Sequence, residues 1–336
     1  MTGASGLLGR CLVTRLRAAG RAVRLLDVLL PPPELLGPDV EARQGDMRDA
    51  ALVREAARGV EVIYHCAAGQ RMKPQFAAMS EDEILAMNVA LVRHVVDAAA
   101  AEGVRKLVHV SSSGVYGVPT TRPVREDHPQ RPLGAYGRSK IEGERLCLAW
   151  AARGGDVTVL RPMSLFGPHM SGVFLLLFDW VHRGKNVWLL GNGRNTIQMV
   201  SAWDVADACL LAATTPGARG AVLNVGGPGT VTVRGQVEGL LAHARSSSRV
   251  VPLPAWLVRN GARALGLVGL SPIVPEHYLL ADATFVLDTT RAREVLGWAP
   301  RFDDVQLMTE AYDWFVAHAD AVAPRSPVLS VLDALS

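Results

Sequence analysis

Over the first two thirds of the chain, short apolar runs rich in valine and leucine alternate with longer segments in which apolar residues recur every three or four positions. The short runs are typical of buried strands, and the longer segments of helices that pack one face on a core. Strands are predicted at residues 22–27, 40–44, 60–67, 106–112 and 157–162, and helices at 8–19, 51–58, 84–102 and 136–153. In helix 84–102 a single buried stripe is formed by Met87, Leu91, Val95 and Ala98.

The alternation of strands with helices predicts a parallel sheet that is covered by helices on both faces. We therefore expect an α/β fold of the doubly wound, or Rossmann, type over residues 1–165, with returning segments at about 198–226. Beyond residue 165 the alternation loosens, and glycine and proline interrupt the chain at 167–172, 191–195 and 226–229. Residues 166–320 are expected to form mainly a smaller, irregular α/β domain for substrate, and residues 321–336 a loosely attached tail.

Composition limits the class of protein, its partners and its cellular location. Of 336 residues 49% are apolar and 20% charged, so the chain can bury a substantial core. The formal net charge is +3 and the basic residues are scattered, which argues against nucleic acid as a partner. The four cysteines lie far apart, so neither a disulfide framework nor a metal site is predicted. Because we find no export signal and no uninterrupted apolar span, we expect a cytoplasmic protein without membrane contact.

A glycine-rich turn opens the first predicted helix. Residues 2–9 read TGASGLLG, with glycine at positions 3, 6 and 9. A dinucleotide pyrophosphate needs a tight turn, an approach free of side chains and the N-terminal amides of a helix, which such a turn supplies. Asp27 ends the next predicted strand, where a carboxylate accepts hydrogen bonds from the adenosine ribose and repels a 2′-phosphate. The pattern favours NAD over NADP, although an ordinary glycine turn and a solvated aspartate are the plain alternatives.

The buried strand that should precede this turn is missing from the sequence. Met1 stands immediately before the turn, whereas the central first strand of such a sheet has about five residues. We expect either that the true reading frame begins upstream or that another segment fills the slot, with the tail run 328–332 as a candidate. A strand between those that carry Asp27 and His65 decides between these options.

Tyr136 and Lys140 lie four residues apart and therefore on one face of a predicted helix. A charged lysine stabilises a phenolate, so the tyrosine can exchange a proton with a substrate hydroxyl at neutral pH. An exposed helical pair has the same spacing. Upstream, HVSSSGVYG (109–117) ends a strand with serines at the edge where open α/β sheets bind ligands. Their hydroxyls can bond a substrate oxygen, or they can simply cap the strand.

From Thr2 to about Phe315 the chain resembles the extended short-chain dehydrogenase/reductases of the NAD-dependent epimerase/dehydratase family. The resemblance rests on these motifs, in this order: TGxxGxxG, Asp27, GDMRD (45–49), YHCAA (64–68), Asn88-Val89, SSSGVYG (111–117), EDHPQRP (126–132), YGRSK (136–140), LRPMSLFGP (160–168) and DTTRAREVLGWAP (288–300).

The resemblance implies roles for individual residues. Ser112, Tyr136 and Lys140 match the family's catalytic hydroxyl, its proton donor and its cofactor-binding lysine. The residues that match cofactor-binding positions are Gly3, Ser5, Gly6, Leu7, Leu8, Gly9, Asp27, Asp46, Met47, Ala67, Ala68, Tyr136 and Lys140. Asn88 matches an asparagine that is mostly structural. Helices 84–102 and 136–153 match the family's usual dimer interface, so a homodimer is expected.

Departures from the family pattern limit the choice of substrate. Ser113 and Gly114 stand where dehydratases have an Asp-Glu pair, which disfavours sugar 4,6-dehydration. Ser164 and Ile197 stand where nucleotide-sugar members commonly have Asn and Arg, and isoleucine cannot clamp a diphosphate as an arginine fork does. The candidates that could replace this charge are Arg194, His169, Lys73 and Arg183; the substrate-binding residues we expect are Ser113, Ser164 and Arg194.

The interpretation we favour is NAD-dependent oxidation and epimerisation of a secondary alcohol on a sugar-like small molecule, as in a nucleotide-sugar 4-epimerase. The first alternative is a one-way NAD-dependent dehydrogenase or ketoreductase of a steroid-like or natural-product alcohol. It draws on segment 252–267, a proline followed by an amphipathic run that could roof an apolar pocket or only pack the core. The second alternative is a non-catalytic NAD-binding protein.

Overall fold

The computed structural model describes residues 1–70, 74–76, 78–170, 173–254, 256, 260, 279–280 and 282–322. Within these ranges the strands are β1 (Val23–Asp27), β2 (Val40–Gln44), β3 (Val62–His65), β4 (Lys106–Val110), β5 (Val157–Pro162), β6 (Ser164–Phe166), β7 (Val187–Leu190), β8 (Met199–Ser201), β9 (Val222–Val225) and β10 (Val250–Leu253). The helices are α1 (Leu7–Ala18), α2 (Ala50–Ala57), α3 (Glu81–Ala101), α4 (Ala135–Ala152), α5 (Val173–His182), α6 (Ala202–Thr214), α7 (Val233–Ala244), α8 (Thr290–Leu296), α9 (Asp304–Ala317) and α10 (Ala319–Val322).

The main sheet is parallel throughout. Its strands follow the order β2-β1 and then β3-β4-β5-β9, and the first residues of the chain join the two parts. Thr2 bridges Leu26 of β1 and His65 of β3. Its N–H donates to the carbonyl of Tyr64 at 2.9 Å, and the N–H of Leu26 donates to the carbonyl of Met1 at 2.9 Å. The slot between β1 and β3 thus holds the residues that lead into the glycine turn; the candidate run 328–332 lies outside the described residues.

Helices cover both faces of this sheet, and successive residues of each strand point to opposite faces. Val108 of β4 belongs to the core cluster that α1 and α6 cover, with Leu12 of α1 fully buried in it. Leu107 belongs to the cluster on the other face, which Val95 of α3 and Cys147 of α4 share. This arrangement confirms the doubly wound α/β fold.

Helix α3 is the longest helix of the described residues. It begins at a capping box, in which Ser80 and Glu83 bond each other's backbone N–H. By length and composition α3 could cross a membrane, but one such helix is weak evidence for a membrane span. In this fold 44% of its most apolar window is buried. Packing against α2 and α4 is typical of a core helix.

The later part of the chain adds short parallel strand pairs, β6 with β8 and β7 with β10. A third core cluster fills the space between these strands and α5, α7 and α9, with Phe166, Phe178, Leu240 and Phe315 fully buried in it. The domain limits predicted near residue 165 stay a prediction.

Candidate cofactor and catalytic site

The carboxyl edge of the main sheet brings the predicted site residues together, because parallel strands end at the same edge. Each predicted segment follows a different strand. The segments are the glycine turn after Thr2, Asp27 at the end of β1, Asp46 and Met47 after β2, Ala67 and Ala68 after β3, the serines 111–113 after β4 and Ser164 after β5.

The three glycines of the turn have different reasons to be glycine. Gly3 has φ +75°, and a Cβ added there would lie 2.6 Å from the amide nitrogen of Ala67. A Cβ on Gly9 would lie 2.0 Å from the carbonyl oxygen of Gly3. A Cβ on Gly6 would meet only that oxygen, at 3.5 Å. Packing therefore requires glycine at positions 3 and 9, whereas Gly6 faces open space.

Gly6 is also the N-cap of α1. It supplies no side-chain cap, and the first turn of α1 carries no acidic residue. Such a helix end has unbonded amide groups and a positive dipole, which together attract an anion. A bare backbone at Gly6 and the amides of Leu7, Leu8 and Gly9 fit the close approach of a dinucleotide pyrophosphate.

Asp27 ties this turn to the end of β1. The amide of Ser5 donates to Oδ2 of Asp27 at 2.9 Å, and the amide of Leu29 donates to Oδ1 at 3.3 Å. The hydroxyl of Ser5 donates to the Leu29 carbonyl at 2.8 Å. The half-buried carboxylate is thereby fixed at the position that the sequence predicts for a ribose contact.

The two residues predicted for the adenine side already have hydrogen-bond partners within the protein. The Asp46 carboxylate accepts a hydrogen bond from Nε of Arg48 at 2.8 Å, and this bond lowers the pKa of Asp46. Met47 is buried, and its carbonyl accepts a hydrogen bond from Nδ1 of His94 at 2.9 Å. Their contacts with adenine stay a prediction.

Ser112, Tyr136 and Lys140 converge at the end of β4. Lys140 is 5% exposed, and its Nζ donates to the Val110 carbonyl at 2.8 Å. The same Nζ lies 5.6 Å from the centroid of the Tyr136 ring. Gly114 lies between Ser112 and Tyr136. A Cβ added to Gly114 would be 3.3 Å from Oγ of Ser112 and 3.9 Å from Cδ1 of Tyr136. The structure therefore brings the three predicted catalytic residues to one place.

Asn88 has the structural role expected of it. Its side chain accepts a hydrogen bond from the amide of Gly69 at 2.8 Å and donates to the carbonyl of the same residue at 3.0 Å. It also donates to Oγ of Ser139 at 3.2 Å. Asn88 thus links the loop after β3 to the helix that carries Tyr136 and Lys140.

Two buried histidines close to Lys140 had not been predicted as part of this region. The rings of His65 and His109 stack with centroids 5.4 Å apart, and Nδ1 of His65 hydrogen-bonds Oγ1 of Thr2 at 2.8 Å. Burial, helped by the charge of Lys140, lowers the pKa of His65 to about 3 and that of His109 well below the usual value. Both imidazoles are neutral at neutral pH. In the sequence, nothing about a histidine inside an apolar strand shows that its ring stacks on another histidine near Lys140.

The predicted substrate residues are less closely grouped. Ser113 is buried in the turn that Ser112 caps, and Ser164 is half-buried where β6 pairs with Met199 of β8. Arg194 is exposed on the turn after β7, where its amide donates to Oδ1 of Asn192 at 3.0 Å. Their contacts with substrate stay a prediction.

Two of the residues considered as replacements for the missing diphosphate arginine, Arg183 and His169, contact other side chains of the protein. Ile197, at that position, forms a backbone bridge with Phe285 and packs on the core. Nε of Arg183 lies 2.9 Å from a carboxylate oxygen of Asp179, and the ring of His169 lies 4.8 Å from that of Trp314; Lys73 is outside the described residues.

A doubly wound sheet with a bare glycine turn at its edge, and a tyrosine and a lysine on a neighbouring helix, defines an NAD-dependent enzyme of the short-chain dehydrogenase/reductase class. The chain belongs to the NAD dependent epimerase/dehydratase family, whose model matches residues 1–226. Family membership confirms the resemblance, the enzyme class and NAD as the cofactor.

Individual relatives span nearly the whole chain. It is 31% identical to UDP-glucose 4-epimerase of Mycolicibacterium smegmatis, over 94% of this chain and 97% of that protein. It is 27% identical to 3beta-hydroxysteroid-dehydrogenase/decarboxylase isoform 2 of Arabidopsis thaliana, over 89% of this chain and 58% of that one. Among solved structures, MoeE5 in complex with UDP-glucose and NAD is 28% identical, with TM-score 0.73 and coverage of 95% of this chain and 98% of that one.

Proposed function

We propose that the protein is a nucleotide-sugar 4-epimerase-type enzyme, which oxidises a secondary alcohol of its substrate and reduces the ketone again on the other face. The observation that carries the proposal is the convergence of Ser112, Tyr136 and Lys140 beside a glycine turn suited to NAD. The epimerase of Mycolicibacterium smegmatis supports a nucleotide-sugar substrate.

The side chains divide the proton chemistry between them. NAD, when bound, supplies the acceptor for the hydrogen that leaves the substrate carbon. Tyr136 Oη takes the proton of the substrate hydroxyl and gives it back when the ketone is reduced. The Lys140 ammonium, held by the Val110 carbonyl, stabilises the phenolate. Oγ of Ser112 accepts a hydrogen bond from the Gly114 amide at 3.0 Å, so its own hydrogen can be donated to the substrate oxygen.

The turn after β4 favours epimerisation over dehydration. Loss of water from a keto sugar needs an acid and a base beside the catalytic hydroxyl. Ser113 and Gly114 occupy those positions, and neither can act as a base. Epimerisation needs no such base, and the proton chemistry of Ser112, Tyr136 and Lys140 with the cofactor is enough for it.

A one-way dehydrogenase of a steroid-like or natural-product alcohol is the second candidate. It is favoured by the packing of Ile197 in the core, where nucleotide-sugar members commonly have the arginine that clamps a diphosphate. The Arabidopsis thaliana relative supports the same reading. Segment 252–267, which could roof an apolar pocket, lies largely outside the described residues.

A homodimer through α3 and α4 is part of the proposal. The side of α3 that faces away from the core carries exposed Ala86 and half-buried Val89. On α4, Leu146 is half-buried and packs against the core cluster that α3 and α4 share. Small and apolar residues on two adjacent helices suit a four-helix contact between two copies. We also propose a cytoplasmic location, for which the scattered, reduced cysteines are the support.

The ligands that leave the purified protein on denaturation test the proposed function. An epimerase regenerates its NAD in every cycle, so mass spectrometry should find a nicotinamide dinucleotide, with or without a sugar nucleotide. A protein that releases neither ligand, and whose denaturation midpoint does not rise in saturating NAD, does not bind NAD, since a ligand that binds only the folded state must stabilise it. That result would contradict the proposed function and the non-catalytic NAD-binding alternative alike.

A further inference from the structure

A buried carboxylate follows the catalytic pair on α4. Glu144 lies one helical turn beyond Lys140 and two turns beyond Tyr136, so all three share one face of the helix. It is 3% exposed, and the hydroxyl of Ser111 donates to its Oε1 at 2.5 Å. Ser111 directly precedes Ser112. Lys140 and Glu144 thus bond to consecutive residues at the end of β4, Val110 and Ser111.

The carboxylate of Glu144 is itself held firmly. Arg161 of β5 donates to it with two groups, Nε to Oε1 at 2.9 Å and Nη2 to Oε2 at 2.6 Å. Gln130 donates to Oε2 at 3.1 Å. Nη1 of Arg161 donates to Tyr116 Oη at 2.8 Å and to the Glu126 carbonyl at 3.0 Å. A planar guanidinium on a planar carboxylate leaves little freedom for either group.

The geometry of the Glu144–Arg161 pair is better explained by the positioning of the catalytic residues than by stabilisation of the fold. A buried ion pair is weak evidence for stability, because apolar residues of similar volume are often as stable. Here the pair joins the helix that carries the proton donor to the strand end that carries the serine hydroxyl. We infer that Glu144 is a positioning residue, which acts through Ser111 to fix the Ser112 hydroxyl relative to the Tyr136 phenol. The inference rests on the proposed function for the roles of Ser112 and Tyr136.

Removal of the Ser111 hydroxyl tests the inference while the Glu144–Arg161 pair stays intact. For Ser111→Ala we expect kcat with UDP-glucose as probe to fall roughly tenfold to a hundredfold, because small misplacements of reacting groups have effects of this size. The KM for the probe and the Kd for NAD should stay within about twofold of the wild type. Ser111→Thr retains the hydroxyl and should recover most of kcat.

Thr158→Val is the matched control. Thr158 is fully buried on the adjacent strand β5, and its hydroxyl donates to the Ala218 carbonyl at 2.6 Å, away from α4. This variant also loses a buried hydroxyl bond, but kcat should not change. An equal fall of kcat in Ser111→Ala and Thr158→Val would mean a general loss of stability and would overturn the inference.

Hydrogen exchange provides a readout that needs no turnover. In Ser111→Ala the amide of Gly114, which donates to Ser112 Oγ, should exchange faster than in the wild type, whereas in Thr158→Val it should not. Unchanged exchange across residues 111–117 in Ser111→Ala overturns the inference. A wild-type protein inactive on every nucleotide sugar contradicts the proposed function, and the exchange measurement still decides the role of Glu144.

Discussion

At the scale of single residues, the chemistry of the site depends on which hydrogen-bonding groups remain free for a ligand. A serine hydroxyl both donates and accepts, and Ser112 uses its acceptor on Gly114. A lysine ammonium has three donors, and Lys140 directs one to Val110. The phenol of Tyr136 lies beside both. One hydrogen bond fixes the Ser112 hydroxyl and another fixes the Lys140 ammonium. The remaining donors of both groups are available for the proposed reaction.

Replacing Tyr136 by Phe removes the group that exchanges the substrate proton. We expect kcat to fall by roughly a hundredfold to ten-thousandfold, the usual size of a general acid–base contribution, while NAD binding is retained. Steady-state kinetics and a fluorescence titration with NAD measure the two effects. Tyr312→Phe is the control, since its ring packs against Phe178 in the third core cluster. Full activity in Tyr136→Phe would remove the basis of the mechanism.

Two glycines of the same turn offer a matched pair of alanine variants. Gly9→Ala places a Cβ 2.0 Å from the Gly3 carbonyl oxygen, so the free energy of unfolding should fall by about 1–3 kcal/mol or more, as in other overpacked sites. Gly6→Ala meets only a contact at 3.5 Å, so stability should be kept while the Kd for NAD rises at least about tenfold. Denaturant unfolding and NAD titration separate the two; tight NAD binding by Gly6→Ala would show that the pyrophosphate lies elsewhere.

At the scale of elements, local periodicity was enough to predict the first half of the fold. The predicted strands correspond to β1–β5 and the predicted helices to α1–α4; the largest difference is the start of α3, at Glu81 instead of residue 84. The later pairs β6–β8 and β7–β10 depend on contacts between distant segments, which no local pattern shows. For the same reason the bridging role of Thr2 was not predicted.

Some residues of the candidate site could also be predicted from local sequence, whereas others become evident only in the folded structure. Tyr136, Lys140 and Ser112 could be found because their spacing and their place after predicted elements have a chemical meaning. Glu144 lies at the same helical spacing, one turn beyond Lys140, but its partner Ser111 becomes evident only when β4 and α4 are packed together. Catalytic residues are therefore easier to predict from the sequence than the residues that position them.

The outer side of α3 tests the proposed dimer. Val89→Glu places a charge at the centre of the proposed contact, where it would be buried without a partner, so we expect the variant to be monomeric. Val316→Glu on α9 is the control, because Val316 is 38% exposed and lies on a different element. Analytical ultracentrifugation gives the mass of each variant. A wild-type monomer, or an undisturbed dimer in Val89→Glu, contradicts the interface.

At the scale of the whole molecule, the buried histidines make stability depend on pH. Their pKa values are lowered in the fold, whereas an unfolded histidine titrates near 6.5. The unfolded state therefore binds more protons, and the stabilising contribution is lost as the pH falls below about 6.5, continuing towards about 3 for His65. Each histidine should add a slope of about 1.4 kcal/mol per pH unit.

Replacing one of the two rings isolates this contribution. His109→Phe keeps an aromatic ring in the stack and removes one of the two protonation sites. Between about pH 6.5 and 5, the free energy of unfolding of this variant should fall less steeply than that of the wild type, by up to about 1.4 kcal/mol per pH unit. Urea unfolding at a series of pH values measures both slopes; equal slopes would mean that folding does not change the pKa of His109, contrary to its lowered pKa.

A turnover assay distinguishes epimerisation from one-way oxidation. Purified protein is mixed with UDP-glucose, and chromatography of the sugar nucleotides is combined with the fluorescence of reduced nicotinamide. We expect the 4-epimer to form while no NADH accumulates, because an epimerase regenerates its cofactor in each cycle and Tyr136 would return the proton. Steady release of NADH with a nucleotide-free alcohol, and no conversion of UDP-glucose, would contradict the proposed function and favour the one-way dehydrogenase.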